Sequence, residues 1–198
     1  MADEMNDPKH ALRHYLQASR ESLLAKLEGV GERDARMPRT PTGTSLAGIV
    51  LHCANVEIVY FGPTFGRPWP EPEHPCAIAE ERYDDDPQAD WVLPADVPLA
   101  ELVAFYRRVW TFADETIAAT PLDGPGQVAH WGDTAVTLHR ILVHTLTDLD
   151  RHAGQADILR EEVDGAVGWH GTGNNVPDGV DWPAYVERLR AIAERFPA

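Results

Sequence analysis

The stretch "LVHTLTDLDRHAGQADILRE", residues 142–161, has the pattern of a helix, yet its centre carries His144, Asp148 and His152 at intervals of four residues. Side chains four residues apart lie on the same face of a helix, about 6 Å from each other. The three side chains are therefore interpreted as a metal site, a proton relay or the solvated side of an amphipathic helix. Spacing alone favours the last, because an Asp–His pair at this interval is usually a surface ion pair.

The rest of the chain has the organisation of a helical bundle. Apolar residues recur with a period of 3.6 in long segments. Thr44 or Ser45 can cap the second segment at its start, and Gly165 can end the fourth in a left-handed conformation. Little strand signal accompanies these segments, so we predict an all-α, antiparallel four-helix bundle. The predicted helices span 8–28, 45–61, 98–120 and 134–164.

A long connection separates the second and third predicted helices. Residues 62–96 contain seven prolines and the acidic run "YDDDP", which predicts irregular structure with at most short extended pieces. A connection of this length is uncommon in a compact domain unless it covers something. Its aromatic residues, with one from the 121–133 connection, could wall a pocket over an ion, but satellite core is the favoured interpretation. They are Trp69, Tyr83, Trp91 and Trp131.

Charge and composition exclude several classes of protein. The chain has 198 residues and a formal net charge of −15, which argues against a phosphate-neutralising face for nucleic acid. No fully apolar run reaches the roughly 20 residues that cross a bilayer, and the acidic start does not resemble a signal peptide. Cys53 and Cys76, the two cysteines, do not form a disulfide framework. We therefore expect a cytoplasmic protein.

A further histidine lies on the second predicted helix. His52 falls between Ile49 and Val56, three residues after one and four before the other, so it points where apolar side chains point. A single histidine on such a face is more often a hydrogen-bonded core residue than a ligand. Two facing helices could nevertheless bring His52 to Asp148 and His152, as bundle cores build metal sites. Three nitrogen and oxygen ligands on Zn²⁺ would leave one position open for water.

Three segments resemble the DinB-like (DinB/YfiT-like) superfamily of four-helix bundles. The similarity is to the branch that contains mycothiol-dependent maleylpyruvate isomerase and uncharacterised metal-binding proteins. It runs from about residue 43 to 168 with order and spacing kept. The segments are "SLAGIVLHCANVEIVYF" (45–61), "YDDDPQADW" (83–91) and "TLHRILVHTLTDLDRHAGQADILREEVDGAVG" (137–168).

The resemblance implies a ligand set. The metal ligands of the superfamily fall on His52, Asp148 and His152, whereas His144 matches a histidine that is common in the branch but is not a ligand. The position of Asp148 usually holds Glu, or His in other branches, and the preceding position, often a second Glu, is Thr147 here. Asp is one methylene shorter than Glu, so the backbone must come closer or a water must bridge.

The resemblance also implies the chemistry. A divalent ion, Zn²⁺ before Ni²⁺ or Fe²⁺, could activate water for hydrolysis or bind a low-molecular-weight thiol such as mycothiol as thiolate. We therefore expect a metal-dependent enzyme, a thiol transferase or isomerase or a hydrolase, that acts on a small molecule. The alternative is a non-catalytic metal-binding protein that acts in stress or by interaction. His144 is the candidate acid or base, or else orients Asp148 by a hydrogen bond.

Other polar residues receive weaker assignments. Arg151 and Arg160 could attract an anionic substrate or cofactor, although arginines at such positions more often lie on solvated faces or in salt bridges. The remaining histidines lie in polar surroundings, and we expect them to face solvent. They are His10, His14, His74, His130, His139 and His170.

The C-terminal part follows the bundle as an extension. We expect residues 1–168 to form the metal-binding bundle and residues 169–198 an extension. The segment "DWPAYVERLRAIAERF", residues 181–196, predicts a short helix that packs on the bundle or on a dimer partner. A homodimer is the expected assembly, since proteins of this superfamily often dimerise.

Overall fold

The computed structural model of the chain describes residues 4–169 and 176–197. The fold is mostly helical and confirms the predicted four-helix bundle. Four long helices make the bundle: α1 packs on α6, and α3 packs on both α5 and α6. The elements, in chain order, are α1 (Pro8–Ala25), α2 (Glu32–Arg36), α3 (Leu46–Phe61), α4 (Arg82–Asp85), α5 (Leu99–Ala119), β1 (Pro125–Gln127), β2 (Ala135–Thr137), α6 (Leu138–Asp164) and α7 (Trp182–Ala193).

The start of α6 differs from the prediction. The sequence pattern placed it at residue 134, but residues 135–137 form β2, which pairs with β1 in an antiparallel hairpin. The side chain of Thr137 then accepts a hydrogen bond from the Arg140 amide and caps the helix. The C-terminal end of α6 agrees with the prediction, because Gly165 ends the helix in a left-handed conformation with a φ of 75°. The first helix is also shorter than predicted and ends at Ala25 rather than at residue 28.

The connection between α3 and α5 is largely irregular as predicted, but its regular pieces are short helical turns and not extended segments. They are Pro63–Phe65, α4 and Ala89–Trp91. The last of these turns lies directly against the start of α3. A Cβ atom on Gly48 would come within 2.5 Å of the Trp91 carbonyl oxygen, so only glycine allows this approach. Ser45, rather than Thr44, caps α3, with its side chain accepting from the Gly48 amide.

Helix α3 is the most buried element of the bundle. One helical stretch, Leu46–Phe65, is long and apolar enough to cross a membrane, but 72% of the window is buried inside the fold. The polar residues within it are paired in the interior. Asn55, for example, donates to the carbonyls of Leu51 and Cys76 and accepts from the Ile78 amide. Burial and these pairings assign the stretch to the core of the bundle.

A buried ion pair joins α1 to α3. The Arg20 guanidinium donates to both carboxylate oxygens of Glu57 at 2.5–3.1 Å, and the two side chains are 1% and 0% exposed. From α5, the Tyr106 hydroxyl donates to Glu57 at 2.9 Å and Asp114 accepts from Arg20 at 2.8 Å. Burial alone would lower the pKa of Arg20, but attraction to Glu57, aided by Asp114, raises it above its usual value. The network therefore holds three helices together.

Helix α7 has none of its residues buried. Its apolar side chains are 38–48% exposed, and Phe196 just beyond it is 72% exposed. The prediction that this extension packs on the bundle or on a dimer partner stays a prediction, as does the division at residues 168 and 169. The apolar side chains of the helix are Trp182, Tyr185, Val186, Leu189 and Ile192.

We predict that Glu57→Gln lowers the free energy of unfolding by about 3–5 kcal/mol, because it leaves a buried arginine without its charge partner. Urea unfolding followed by circular dichroism measures the change. Glu187→Gln is the matched control, since Glu187 is 75% exposed and lies 3.8 Å from Arg190; this variant should unfold like the natural chain. A loss below about 1 kcal/mol for Glu57→Gln, the range of an exposed pair, would contradict the role of the network.

Candidate metal centre

The structure brings the three predicted ligands together at the contact of α3 and α6. One potential ligand atom from each of His52, Asp148 and His152 lies within 4.8 Å of the others. Asp148 places one carboxylate oxygen 3.9 Å from Nε2 of His52 and the other 3.7 Å from Nε2 of His152. The three side chains, called the ligand cluster below, therefore converge from two helices.

The geometry of the ligand cluster suits a cation. Separations of 3.7 and 3.9 Å are too long for hydrogen bonds. Ligands that lie 2.0–2.2 Å from a tetrahedral ion are about 3.3–3.6 Å apart, so small shifts would complete a site. In addition, the Oδ2 atom of Asp148 is buried without a hydrogen-bond partner. Buried polar atoms rarely lack a partner, and a cation between the three side chains would supply one.

A carboxylate from the long connection orients His52. Asp90, which is 5% exposed, places Oδ2 2.7 Å from Nδ1 of His52. The contact fixes the ring and leaves Nε2 directed toward Asp148. Histidines that bind metals usually have their second nitrogen held by a carboxylate or carbonyl in this way. Burial raises the pKa of the hydroxyl of Tyr83, on α4, and the nearby Asp90 carboxylate acts in the same direction.

His152 is oriented by a neighbour on its own helix. Its Nδ1 lies 2.8 Å from Oε1 of Gln155, so Nε2 again faces the ligand cluster. Burial lowers the pKa of His152, even though Gln155 and Asp148 act in the opposite direction. The ring is therefore neutral at pH 7, which is the form that binds metals. The Trp91 ring stacks on His52 at 4.3 Å and meets His152 edge-on at 5.3 Å.

Sequence reasoning did not single out Asp90 or Gln155. Gln155 carried a readable signal, because it follows His152 by three residues on the same helix face. Asp90 carried a weaker one, as one of several acidic residues in a connection with no regular pattern. The hydrogen bond between Asp90 and His52 spans 38 positions of the chain, and helix periodicity does not predict contacts of this kind.

His144 lies beside the ligand cluster but outside it. Its ring packs between those of Tyr60 and Trp131, with centroid distances of 4.7 Å to each. Among residues 4–169 and 176–197, no hydrogen bond joins His144 to Asp148, so the predicted orienting bond is absent from the part of the chain that is described. Burial lowers the pKa of His144, against the attraction of Asp148. His144 is thus a neutral base about one helical turn from a ligand.

Arg160 takes the salt-bridge role, the more frequent of the two alternatives considered for it, and not the substrate role. Its guanidinium is paired with Asp164 and donates to the carbonyls of Ala25 and Lys26 at the end of α1. It therefore ties α6 to α1 and is not free to attract a substrate. Arg151 is exposed on α6, and no hydrogen bond or ion pair engages its side chain within the described ranges.

One of the remaining histidines also differs from the expectation. His74 is half-buried, stacks on Phe105 at 4.5 Å and lies 3.0 Å from a carboxylate oxygen of Glu101. His130 is exposed but contacts the Tyr60 hydroxyl at 3.3 Å. Three others are exposed as expected, and one lies outside the described residues. These are His10, His14 and His139, and then His170.

The aromatic residues of the connections divide between the two roles considered for them. Trp69 is 8% exposed and packs on Phe112 and Phe105, so it belongs to the core as favoured. Trp91 lies against both histidines of the ligand cluster instead. Tyr83 and the residues around Tyr60 line a cavity of about 560 Å³. The connection thus packs the bundle at one end and covers the ligand cluster at the other.

Comparison with known proteins agrees with the DinB-like resemblance. No curated protein shows significant similarity to the chain. The family described as Mycothiol-S-transferase matches residues 11–165, a range that contains most of α1, the other three bundle helices and the whole ligand cluster. Because this match covers well over half of the sequence, the chain belongs to the mycothiol-S-transferase family of the DinB-like superfamily.

Proposed function

We propose that the protein is a metal-dependent transferase that joins a low-molecular-weight thiol, mycothiol or a close analogue, to a small electrophile. The observation that carries the proposal is the convergence of His52, Asp148 and His152 within 4.8 Å. Family membership supports the thiol and the transfer reaction. The donor set supports the metal, because two neutral imidazoles and one carboxylate are ligands of catalytic zinc sites.

The ligand cluster would hold one divalent ion, with Zn²⁺ favoured over Ni²⁺ and Fe²⁺. When bound, the ion would lower the pKa of a thiol so that the thiol reacts as thiolate at neutral pH. Asp90 and Gln155 would keep both imidazole rings directed at the ion, because each holds the Nδ1 atom of its ring and leaves Nε2 facing the ligand cluster.

His144 is the proposed proton acceptor. A neutral imidazole can take the proton that a thiol releases on deprotonation, and burial keeps the pKa of His144 low. The ring packs between Tyr60 and Trp131, which holds it beside Asp148. Proton transfer by a positioned base contributes typically 10²–10⁴-fold to a rate. Arg151 remains a weaker candidate for contact with the thiol or the substrate.

Two other functions compete with this proposal. A hydrolase would use the same ion to activate water, and a non-catalytic protein would use it only for structure. Within the described residues the metal-competent group has three members and does not include His144, which leaves a tetrahedral ion one free position. A free position supports catalysis over a closed structural site.

We predict that the purified protein contains about one divalent ion per chain and that His52→Ala and His152→Ala each abolish stoichiometric metal while keeping the helical fold. Elemental analysis and circular dichroism measure the two properties. Thiol conjugation should be lost in both variants and after treatment of the natural chain with a chelator.

His139→Ala is the matched control, since His139 lies exposed on the same helix as His152 and should have no effect on metal content. Metal content that is unchanged in either ligand variant would contradict the ligand set. Conjugation that survives full metal removal would contradict the metal-dependent mechanism even if the ligand set is correct.

We predict that Asp148→Glu retains the metal with equal or higher affinity, because Glu is the residue usual at this position in the superfamily. The longer side chain can close the separations of 3.7 and 3.9 Å that Asp148 leaves to the two rings. Competition with a chromophoric chelator measures the dissociation constant. Complete loss of the metal would show that the backbone is adapted to the shorter side chain.

We predict that Asp90→Asn weakens metal affinity by about 10–100-fold, the usual effect of removing the partner that orients a metal-binding histidine. The asparagine is nearly the same size, so the fold should be retained. Asp96→Asn is the control, because Asp96 is an exposed acid of the same connection. Equal affinities for the two variants would show that Asp90 does not support His52.

A further inference from the structure

The geometry points to a charge filter beside the ligand cluster. We propose that the 560 Å³ cavity receives the electrophile and that Glu80 and Asp84 in its wall exclude anionic electrophiles in favour of neutral or cationic ones. This inference rests on the proposed transferase function and names the class of its second substrate.

Two residues of the cavity wall contact histidines of the candidate site. Asp90, which holds His52, forms part of the cavity wall, and so does Tyr60, whose ring packs on His144. A molecule in the cavity therefore lies next to the residues that orient the candidate metal site and next to its proposed base. The thiol sulfur and an electrophilic carbon can approach each other at this border.

The lining suits an organic molecule with a carbon-rich body. Its volume falls within the range of sites for drug-sized ligands. Side chains from α3 and from both long connections supply apolar wall on several sides of the cavity. These are Val56, Ile58, Val59, Pro63, Ile78 and Ala129.

The charged side chains that line the cavity are all acidic. They are Glu80, Asp84 and Asp90, and the part of the chain that the structure describes contributes no lysine or arginine to the lining. Within residues 4–169 and 176–197, neither Glu80 nor Asp84 forms an ion pair. The lining also includes the imidazole ring of His130. A carboxylate entering the cavity would thus meet two acids without cationic partners, in addition to the net charge of −15 on the whole chain.

This arrangement does not support the anionic substrate that the arginines of α6 could attract. Arg160, which suggested it, is paired with Asp164 and with the end of α1. Arg151 is exposed on α6 and does not line the cavity. The electrostatics beside the ligand cluster therefore select against carboxylate-bearing electrophiles.

Chloronitroarenes provide a matched set of probes. The set shares one ring and carries a carboxylate, a hydroxymethyl or a trimethylammoniomethyl group. In each reaction a carbon–sulfur bond forms, chloride leaves with the electron pair of the carbon–chlorine bond, and the proton of the thiol passes to the buffer. One uncharged thiol is used throughout, and each kcat/KM is divided by the uncatalysed rate constant of that probe.

With metal-loaded natural protein at low salt, the carboxylate probe should have a normalised kcat/KM about tenfold or more below that of the hydroxymethyl probe. The ratio should shrink as salt screens the charges. The double variant Glu80→Gln with Asp84→Asn should bring the ratio close to one. The control double variant Glu73→Gln with Asp96→Asn removes two exposed acids outside the cavity and should keep the ratio of the natural chain.

Calorimetric binding of unreactive analogues, in which hydrogen replaces chlorine, separates this inference from the proposed function. If no probe is conjugated but the carboxylate analogue still binds more weakly through Glu80 and Asp84, the transferase function fails and the filter stands. The filter is overturned if the three analogues bind equally or not at all, or if the preference survives in the Glu80/Asp84 double variant.

Discussion

The buried ion pair between Arg20 and Glu57 fixes helix α3 within the bundle, and the position of His52 depends on it. The two residues are 1% and 0% exposed and bonded through both carboxylate oxygens. His52 precedes Glu57 by five residues on the same helix. The ion pair therefore fixes the rotation of α3 about its axis and its position along that axis, and with them the direction in which the imidazole faces α6. An apolar helix could slide or turn against its neighbours at small cost, whereas a buried charge that loses its partner is strongly destabilising. Tyr106 and Asp114 extend the same restraint to α5.

The candidate metal centre is formed by two bundle helices and by the connection between α3 and α5, which packs over them. Helices α3 and α6 deliver the three ligand atoms, and the connection between α3 and α5 supplies Asp90 and Trp91, which hold and cover His52. The same connection also provides Glu80 and Tyr83 to the wall of the neighbouring cavity. Regular helices therefore place the ligand atoms, whereas the connection supplies both the carboxylate that orients His52 and part of the cavity wall.

Much of this arrangement could be predicted from the sequence. The helical period gave the four long helices within a few residues, and the resemblance indicated which three side chains to look for on them. The predicted start of α6 was wrong, because the short β1–β2 hairpin forms through pairing between positions eight to twelve residues apart, which a helix pattern does not predict. Asp90 was missed for a similar reason, as its bond to His52 joins an irregular connection to a helix. His74 was misplaced because its partners, Glu101 and Phe105, come from a different element.

Because Gly48 has no side chain, the turn at residues 89–91 can pack directly against α3. The Trp91 carbonyl sits where a Cβ atom would stand, so the backbone of the connection rests on the backbone of α3 one turn before His52. Even a methyl group here would act as a spacer, lifting the turn at residues 89–91. Both the carboxylate and the indole that serve His52 would then move away together. The orientation of the His52 imidazole therefore depends on the absence of a Cβ atom at Gly48.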